Sequence, residues 1–189
     1  MTGTEESFQA HIVSYAYDFV ILSRGHAASA LQWTREVMKR LKLSLNREKT
    51  VTRNALEESF DFLGYTFGSV WFRKDGTKYM SACPSRKSVA RLKGKVHQTL
   101  RPFEKGPWPE VCDRFNALLR GWCTYFSYGT TQIVYRAVER YVYERVRLFL
   151  KRRHKVRSRG IRRFPSEKVF GDIGVLLPRP MKPANCRVP

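Results

Sequence analysis

The sequence predicts an α+β fold, with a strand-rich first part and a helical second part. Before residue 82, short runs of apolar and polar residues alternate between Gly, Asp and Ser positions, which is typical of strands and hairpins. From residue 84 onward, apolar residues recur at three- and four-residue spacing, the period of amphipathic helices. Charge divides the chain at the same place. The 189 residues carry 36 Lys+Arg against 16 Asp+Glu, and residues 83–189 hold 25 of the basic and 7 of the acidic side chains.

The first element predicted is a β-hairpin followed by a helix. The apolar runs Ile12–Val13 and Phe19–Leu22 flank Tyr15–Asp18, so Tyr17 and Asp18 are expected at the turn. A helix follows Ser23–Gly25, because apolar residues then repeat on one face. The stripe that this helix is expected to bury comprises Ala27, Ala30, Leu31, Thr34, Val37, Met38 and Leu41.

Further strands are predicted before the helical part begins. The segment Leu43–Thr52 is interpreted as a turn leading into a short strand. The run Phe60–Phe67 alternates aromatic and polar residues, and it is interpreted as one arm of a second hairpin whose turn is Lys74–Gly76.

Three helices are predicted next. The first starts at Pro84–Ser85 and ends before Pro102, and Gly106–Pro109 forms a rigid linker to the second. The second helix is expected from about 110 to 126 and the third from about 131 to 151. Polar positions of the third helix repeat every three or four residues opposite its apolar stripe, which places them on one line. We call this line the basic ridge; it comprises Arg136, Arg140, Tyr143, Arg147 and Lys151.

The chain then becomes strongly basic. Eight of the thirteen residues 151–163, which we call the basic extension, are Lys or Arg. Such a block is typical of segments that stay flexible until they meet an anion. Residues 164–189 contain five prolines and little periodicity, so after a short segment at 167–177 we expect a mostly extended, poorly packed tail.

The formal net charge of +20 predicts a polyanionic partner, because a compact body repels itself at that charge. Nucleic acid is favoured over an anionic membrane surface, since the apolar faces of the basic helices are those a globular core would use. The four cysteines form no CxxC pair, which argues against a disulfide scaffold or zinc module. We therefore expect reduced thiols, no metal site and a cytoplasmic location.

Four blocks, in order, resemble the reverse transcriptases encoded by group II introns and the maturase-specific domain that follows them. The blocks are Tyr15–Leu22, Leu45–Thr50, Phe60–Phe67 and Leu119–Phe126. The resemblance implies a partial reverse-transcriptase palm over residues 10–82 and a three-helix maturase (thumb) domain with the basic extension over 83–163. Residues 164–189 would be the tail.

The resemblance also implies that the catalytic chemistry of the family is lost in this chain. Family members have Tyr-Ala-Asp-Asp at the position of Tyr15, Ala16, Tyr17 and Asp18, and the first aspartate is a metal ligand. A phenol with a pKa of about 10 is a poor Mg²⁺ ligand at neutral pH. The fingers and the first half of the palm are expected to be missing as well. Lys49 matches a lysine proposed to protonate pyrophosphate, but we interpret it as a vestigial surface lysine.

These considerations predict non-catalytic binding of structured RNA, by resemblance a group II intron RNA, in support of splicing. No cofactor is expected. Two alternative functions stay open: half of a split RNA-directed DNA polymerase that another chain completes, which would bind Mg²⁺, and a non-functional relic of such a protein. For the ridge, the alternative is a helix face that is only solvated. The Phe60–Phe67 aromatics fit a primer-grip hairpin or core contacts equally. The predicted RNA-binding residues are Arg136, Arg140, Tyr143, Arg147, Lys151, Arg152, Arg153, Lys155, Arg157 and Arg159.

Overall fold

A computed structural model describes residues 9–71, 76–102 and 104–181, and the predicted α+β class is confirmed. The chain divides into two compact units, Met1–Asn54 and Ala55–Pro189. In the described part, no helix is both long enough and apolar enough to cross a bilayer. The strands are β1 Ala10–Tyr15, β2 Asp18–Ser23, β3 Phe60–Phe62, β4 Tyr65–Trp71 and β5 Lys78–Pro84. The helices are α1 Ala27–Arg40, α2 Arg86–Thr99, α3 Trp108–Tyr125, α4 Gln132–Arg153 and α5 Ser166–Phe170.

The first unit contains the predicted hairpin and helix. Strands β1 and β2 pair antiparallel with Tyr15 opposite Asp18, so Ala16 and Tyr17 form a two-residue turn. Ala16 has a φ of 52°, the positive value that two-residue hairpin turns need. The expected buried stripe of α1 is only partly buried. Ala30 and Thr34 are buried, whereas Ala27 is exposed and Leu41 follows the helix, because a two-stranded ribbon is too narrow to cover the full helix.

The predicted short strand in Leu43–Thr52 is wrong. The side-chain oxygen of Asn46 accepts hydrogen bonds from the backbone N–H groups of Glu48 (3.0 Å) and Lys49 (3.3 Å). The N–H of Thr50 donates to the carbonyl of Asn46 at 2.9 Å. Asparagine thus closes a local turn that competes with strand pairing. Lys49 is exposed on this turn.

The segment Phe60–Phe67 is a complete hairpin and not one arm, which corrects the prediction. The chain reverses at Leu63 and Gly64, whose φ values are 49° and 79°. Two consecutive positive φ values are typical of the tight turn between antiparallel strands. Strands β3, β4 and β5 then form an antiparallel sheet in that order. The predicted turn at Lys74–Gly76 falls between β4 and β5 in sequence, and its residues Lys74 and Asp75 lie outside the described residues.

The core of the second unit is built by α2, α3 and α4 with apolar side chains at helical spacing. Burying each such side chain contributes about 1.5–3 kcal/mol to the free energy of unfolding. Ser85 caps α2, accepting from the N–H of Ser88 at 3.2 Å. The predicted linker Gly106–Pro109 is shorter than expected, because Trp108 and Pro109 already form the first turn of α3, where proline has no N–H to leave unpaired. The core includes Leu92, Val96, Val111, Phe115, Leu119, Val138, Val142, Val146 and Phe149.

The β3–β4 hairpin is joined to α2 and α3 by hydrogen bonds, some of which it donates and some of which it accepts. The carbonyl of Gly64 accepts from the Ser85 N–H (2.8 Å) and the Ser88 hydroxyl (2.9 Å). The Tyr65 hydroxyl donates to the carbonyl of Tyr125 at 2.6 Å, and the Tyr125 hydroxyl donates to the carbonyl of Leu63 at 2.8 Å. Tyr65 therefore contacts the end of α3, and its ring centroid also lies 4.9 Å from that of Phe126, whereas Phe60 and Phe67 stack on each other.

The short segment expected at 167–177 packs into the helical core, and of the extended chain predicted after it the structure describes only residues 178–181. Val169 and Val175 are fully buried. The indole N–H of Trp108 donates to the carbonyl of Ile173 at 3.0 Å, and the Asn116 side chain bonds both the carbonyl of Gly174 and the N–H of Leu176. Residues 182–189 lie outside the described part.

The close approach of Gly129 to the backbone of Ala82 leads to a prediction about stability. A Cβ at Gly129, where φ is +84°, would lie 2.0 Å from the carbonyl oxygen of Ala82. We expect Gly129→Ala to lower the free energy of unfolding by at least about 2 kcal/mol, measured by urea denaturation with far-UV circular dichroism. The control, Gly94→Ala, meets no atom within 4 Å and should stabilise α2 by about 0.5–1 kcal/mol. Equal effects of the two variants would contradict this contact.

Candidate nucleic-acid interface

The basic ridge follows α4 on the side away from its buried stripe. Val138, Val142 and Val146 face the core at 0–1% exposure. Among the ridge residues, Arg136 is exposed and the Arg140 side chain is 83% exposed. The Nε of Arg140 lies 3.4 Å from Oε1 of Glu144. Tyr143, Arg147 and Lys151 are half-buried. The ridge therefore has an open half toward the start of α4 and a covered half toward its end.

The basic extension covers the second half of the ridge. The Arg147 guanidinium donates to the carbonyl of Arg159, and the Tyr143 hydroxyl donates to the carbonyl of Phe164 at 3.1 Å. Arg147 also lies over the Tyr143 ring, 5.8 Å from its centroid. Tyr143 and Arg147, predicted to contact RNA, thus hold the main chain of the extension in place.

The extension has a defined path despite its charge. Gly160 and Phe164 are buried, and the N–H of Phe164 donates to the carbonyl of Gly160 at 2.9 Å. The ring of Phe164 lies 5.7 Å from that of His154. This packing differs from the flexible block that the composition is typical of, because the sequence reasoning did not count Phe164 as an anchor.

The other predicted residues of the extension present their side chains to solvent. Arg153 donates to the carbonyl of Gly106 at 2.8 Å, linking the end of α4 to the α2–α3 connection. The structure therefore fixes the backbone of the extension and leaves its cationic groups accessible to a ligand. The exposed members are Arg152, Arg153, Lys155, Arg157 and Arg159.

A shallow groove of about 500 Å³ lies beside the start of α4, with the cations Arg136 and Arg179 among its lining residues. Tyr135 also lines it, and its hydroxyl donates to the carbonyls of Cys123 (3.1 Å) and Phe126 (3.2 Å). Burial raises the pKa of Tyr135 well above its ordinary value, so this phenol stays neutral and acts as a structural donor.

Sequence reasoning missed the outer face of α2. It used the apolar spacing of this helix and did not consider its charge. The segment Arg86–Thr99 contains no Asp or Glu, whereas α3 and α4 each contain two. That absence was readable in the sequence and marks α2 as a second cationic helix. Its exposed basic residues are Arg86, Lys87, Arg91 and Lys95.

The degenerate motif forms the tip of the first hairpin. Tyr17 is 98% exposed in the turn, and Asp18 is the first residue of β2, opposite Tyr15. Among the described residues, no three His, Cys, Asp or Glu side chains come together in a group that could hold a metal ion. The absence of catalysis stays a prediction.

Comparison with known families found a match to part of the helical unit. Residues 89–164 match the group II intron, maturase-specific domain. The matched segment runs from α2 through the basic extension, so it contains every predicted RNA-binding residue. It does not reach residues 10–82, where the reverse-transcriptase palm stays a prediction, as do the domain boundaries. A search of curated proteins found no match to this chain.

The tether between Tyr143 and the extension predicts a local effect. Tyr143→Phe removes the donor to the Phe164 carbonyl, a bond worth about 1 kcal/mol. We expect the Phe164 amide to exchange with deuterium about fivefold faster, because the segment opens more often. The control is Tyr17→Phe, which removes a hydroxyl at a 98% exposed position. Identical Phe164 exchange in the two variants would show that the hydroxyl does not hold the extension.

Proposed function

We propose that this protein binds the structured RNA of a group II intron without catalysing polymerisation, and that binding helps the intron fold for splicing. The observation that carries the proposal is the coincidence of the maturase-specific match with the cationic surface. The match covers residues 89–164, and the open part of the ridge and the whole extension lie inside it.

The charge pattern of this surface suits a polyanion. Between Glu144 and Glu167 the chain contains no Asp or Glu, so the basic extension has no carboxylate of its own to neutralise it. The acidic partner of the ridge, Glu144, pairs with Arg140 on the exposed side of α4. Phosphates can therefore approach the extension without displacing an internal ion pair.

The geometry suits folded RNA better than a loose strand. Structured RNA is recognised by shape and by contacts to phosphates and 2′-hydroxyl groups, which calls for cations on a rigid frame. The extension meets this need because its main chain is fixed by Tyr143 and Arg147 while Arg157 and Arg159 are exposed. Arginine can also grip a phosphate with two hydrogen bonds at once.

The test compares two variants that lose the same charge. Arg157→Gln/Arg159→Gln removes two side chains of the extension but keeps the Arg159 carbonyl that Arg147 needs. Arg35→Gln/Lys39→Gln removes two exposed charges of α1. Filter binding to a group II intron RNA, from about 50 to 200 mM salt, should show about tenfold weaker binding for the first variant and under twofold for the second.

Two further comparisons complete the experiment. The slope of log affinity against log salt should become shallower by about 1.5 for the extension variant, because two phosphate contacts are lost. An unstructured RNA of equal length should bind the wild-type protein at least about tenfold more weakly, and splicing at limiting Mg²⁺ should be faster with the protein. Equal losses in both variants, or equal affinity for the two RNAs, would contradict the proposal.

A further inference from the structure

The seam between α2 and α4 gathers basic groups outside the ridge and the extension. Lys93 and His97, one turn apart on α2, face Tyr141 and Arg145, one turn apart on α4. The ammonium nitrogen of Lys93 lies 5.1 Å from the centroid of the Tyr141 ring, and the Arg145 guanidinium hydrogen-bonds Nδ1 of His97. We call these four residues the cationic seam.

The side chains of the seam are positioned by contacts that do not neutralise their charges. The hydroxyl of Tyr141 donates to the carbonyl of Lys93 at 3.3 Å, which fixes the ring beneath the lysine. Val96 and Val142, adjacent in sequence to seam residues, are 0% exposed in the core. Because these buried valines already pack α2 against α4, the polar groups of the seam are not required to hold the two helices together.

The seam lacks a counter-ion. Within the described residues, no carboxylate forms a hydrogen bond or ion pair with Lys93, His97 or Arg145, and the neighbouring Glu144 pairs with Arg140 instead. Arg145 is half-buried, and its Nε–H is buried without a hydrogen-bond partner. Lys93 and Arg145 thus add positive charge along the same pair of helices without a paired carboxylate, and an anion would lower that potential.

The seam contains several donors of the kinds that bind phosphate groups. Arginine only donates, so Nδ1 of His97 accepts from Arg145, which leaves Nε2 as the N–H donor of the ring. Three kinds of donor are then present: the Lys93 ammonium, the Nη groups of the Arg145 guanidinium, whose Nε–H is buried, and the Nε2–H of His97. Together they supply a point charge, a planar fork and a ring donor, a combination suited to the oxygens of a phosphate.

We propose that the cationic seam binds a backbone phosphate of the RNA, at a site separate from the ridge and the extension. This inference rests on the proposed RNA binding, which it deepens by adding α2 to the contact surface. Inorganic phosphate has the same chemistry and is the other possible source of the anion, so the experiment includes it as a separate arm.

The first measurement uses the wild-type chain. The ring nitrogens of His97 are followed by ¹H–¹⁵N NMR during separate titrations with a short group II intron stem-loop RNA and with inorganic phosphate at the same phosphate concentration. The proposal expects the His97 signals to shift with RNA and to stay in place with inorganic phosphate. Because no residue is changed, this arm does not depend on the folding of a variant.

The second measurement uses Lys93→Gln/Arg145→Gln, with Arg35→Gln/Lys39→Gln as the control of equal charge. Loss of one phosphate contact should weaken RNA binding about tenfold and make the salt slope shallower by about 1. The control should change affinity less than twofold. Far-UV circular dichroism and the melting temperature establish that both variants are folded before binding is compared.

The outcomes separate this site from the proposed function. If the wild-type chain binds RNA, but the His97 signals do not move and the seam variant binds like the control, the seam is refuted and the RNA-binding proposal stands. If the wild-type chain binds no RNA, both proposals fail. A His97 shift with inorganic phosphate but not with RNA would overturn the backbone-phosphate site and indicate a site for the free anion.

Discussion

Burial of one side of α4 is the constraint on which the rest of the helical unit depends. Val138, Val142 and Val146 are 0–1% exposed, and a helix with one stripe fixed in a core cannot rotate its other positions. The direction of each charged residue on α4 follows from this. Arg136 and Arg140 must face solvent, and Arg145 must face α2. The packing of the core therefore also fixes the directions in which the charged side chains of this helix point.

A second feature is the use of main-chain carbonyls to position the basic segments. The carbonyls of Arg159 and Phe164 accept from ridge side chains, and the carbonyl of Gly106 accepts from Arg153. The tethers therefore leave the side chains of Arg157 and Arg159 exposed. A cationic segment with a fixed backbone loses less conformational entropy when it meets an anion than a flexible one. The fold thus holds the basic extension in one conformation, which suits the recognition of a folded anionic ligand by its shape.

The elements with strong period were predictable from the sequence, and the elements set by local or long-range hydrogen bonds were not. The stripes of α2, α3 and α4 repeat over many residues, so the bounds of these helices were predicted to within about three residues. Asn46 closes a turn that apolar spacing does not reveal, and Leu63–Gly64 required two positive φ values at a position where only the glycine was a signal. The covered half of the ridge was also unpredictable, because it depends on Phe164, distant from Tyr143 in sequence. The seam needed the pairing of α2 with α4, which a single sequence does not supply.

Under the proposed function, the cationic surface of the helical unit contacts the RNA, and the first unit does not. Lysine reactivity in the full chain tests it directly, by mass spectrometry after acetylation with and without a group II intron RNA. The account predicts protection of Lys93 and Lys155 and unchanged reactivity of Lys39, Lys42 and Lys49, all exposed in the first unit. Protection confined to those three lysines, with Lys93 and Lys155 as reactive as in the free protein, would contradict it.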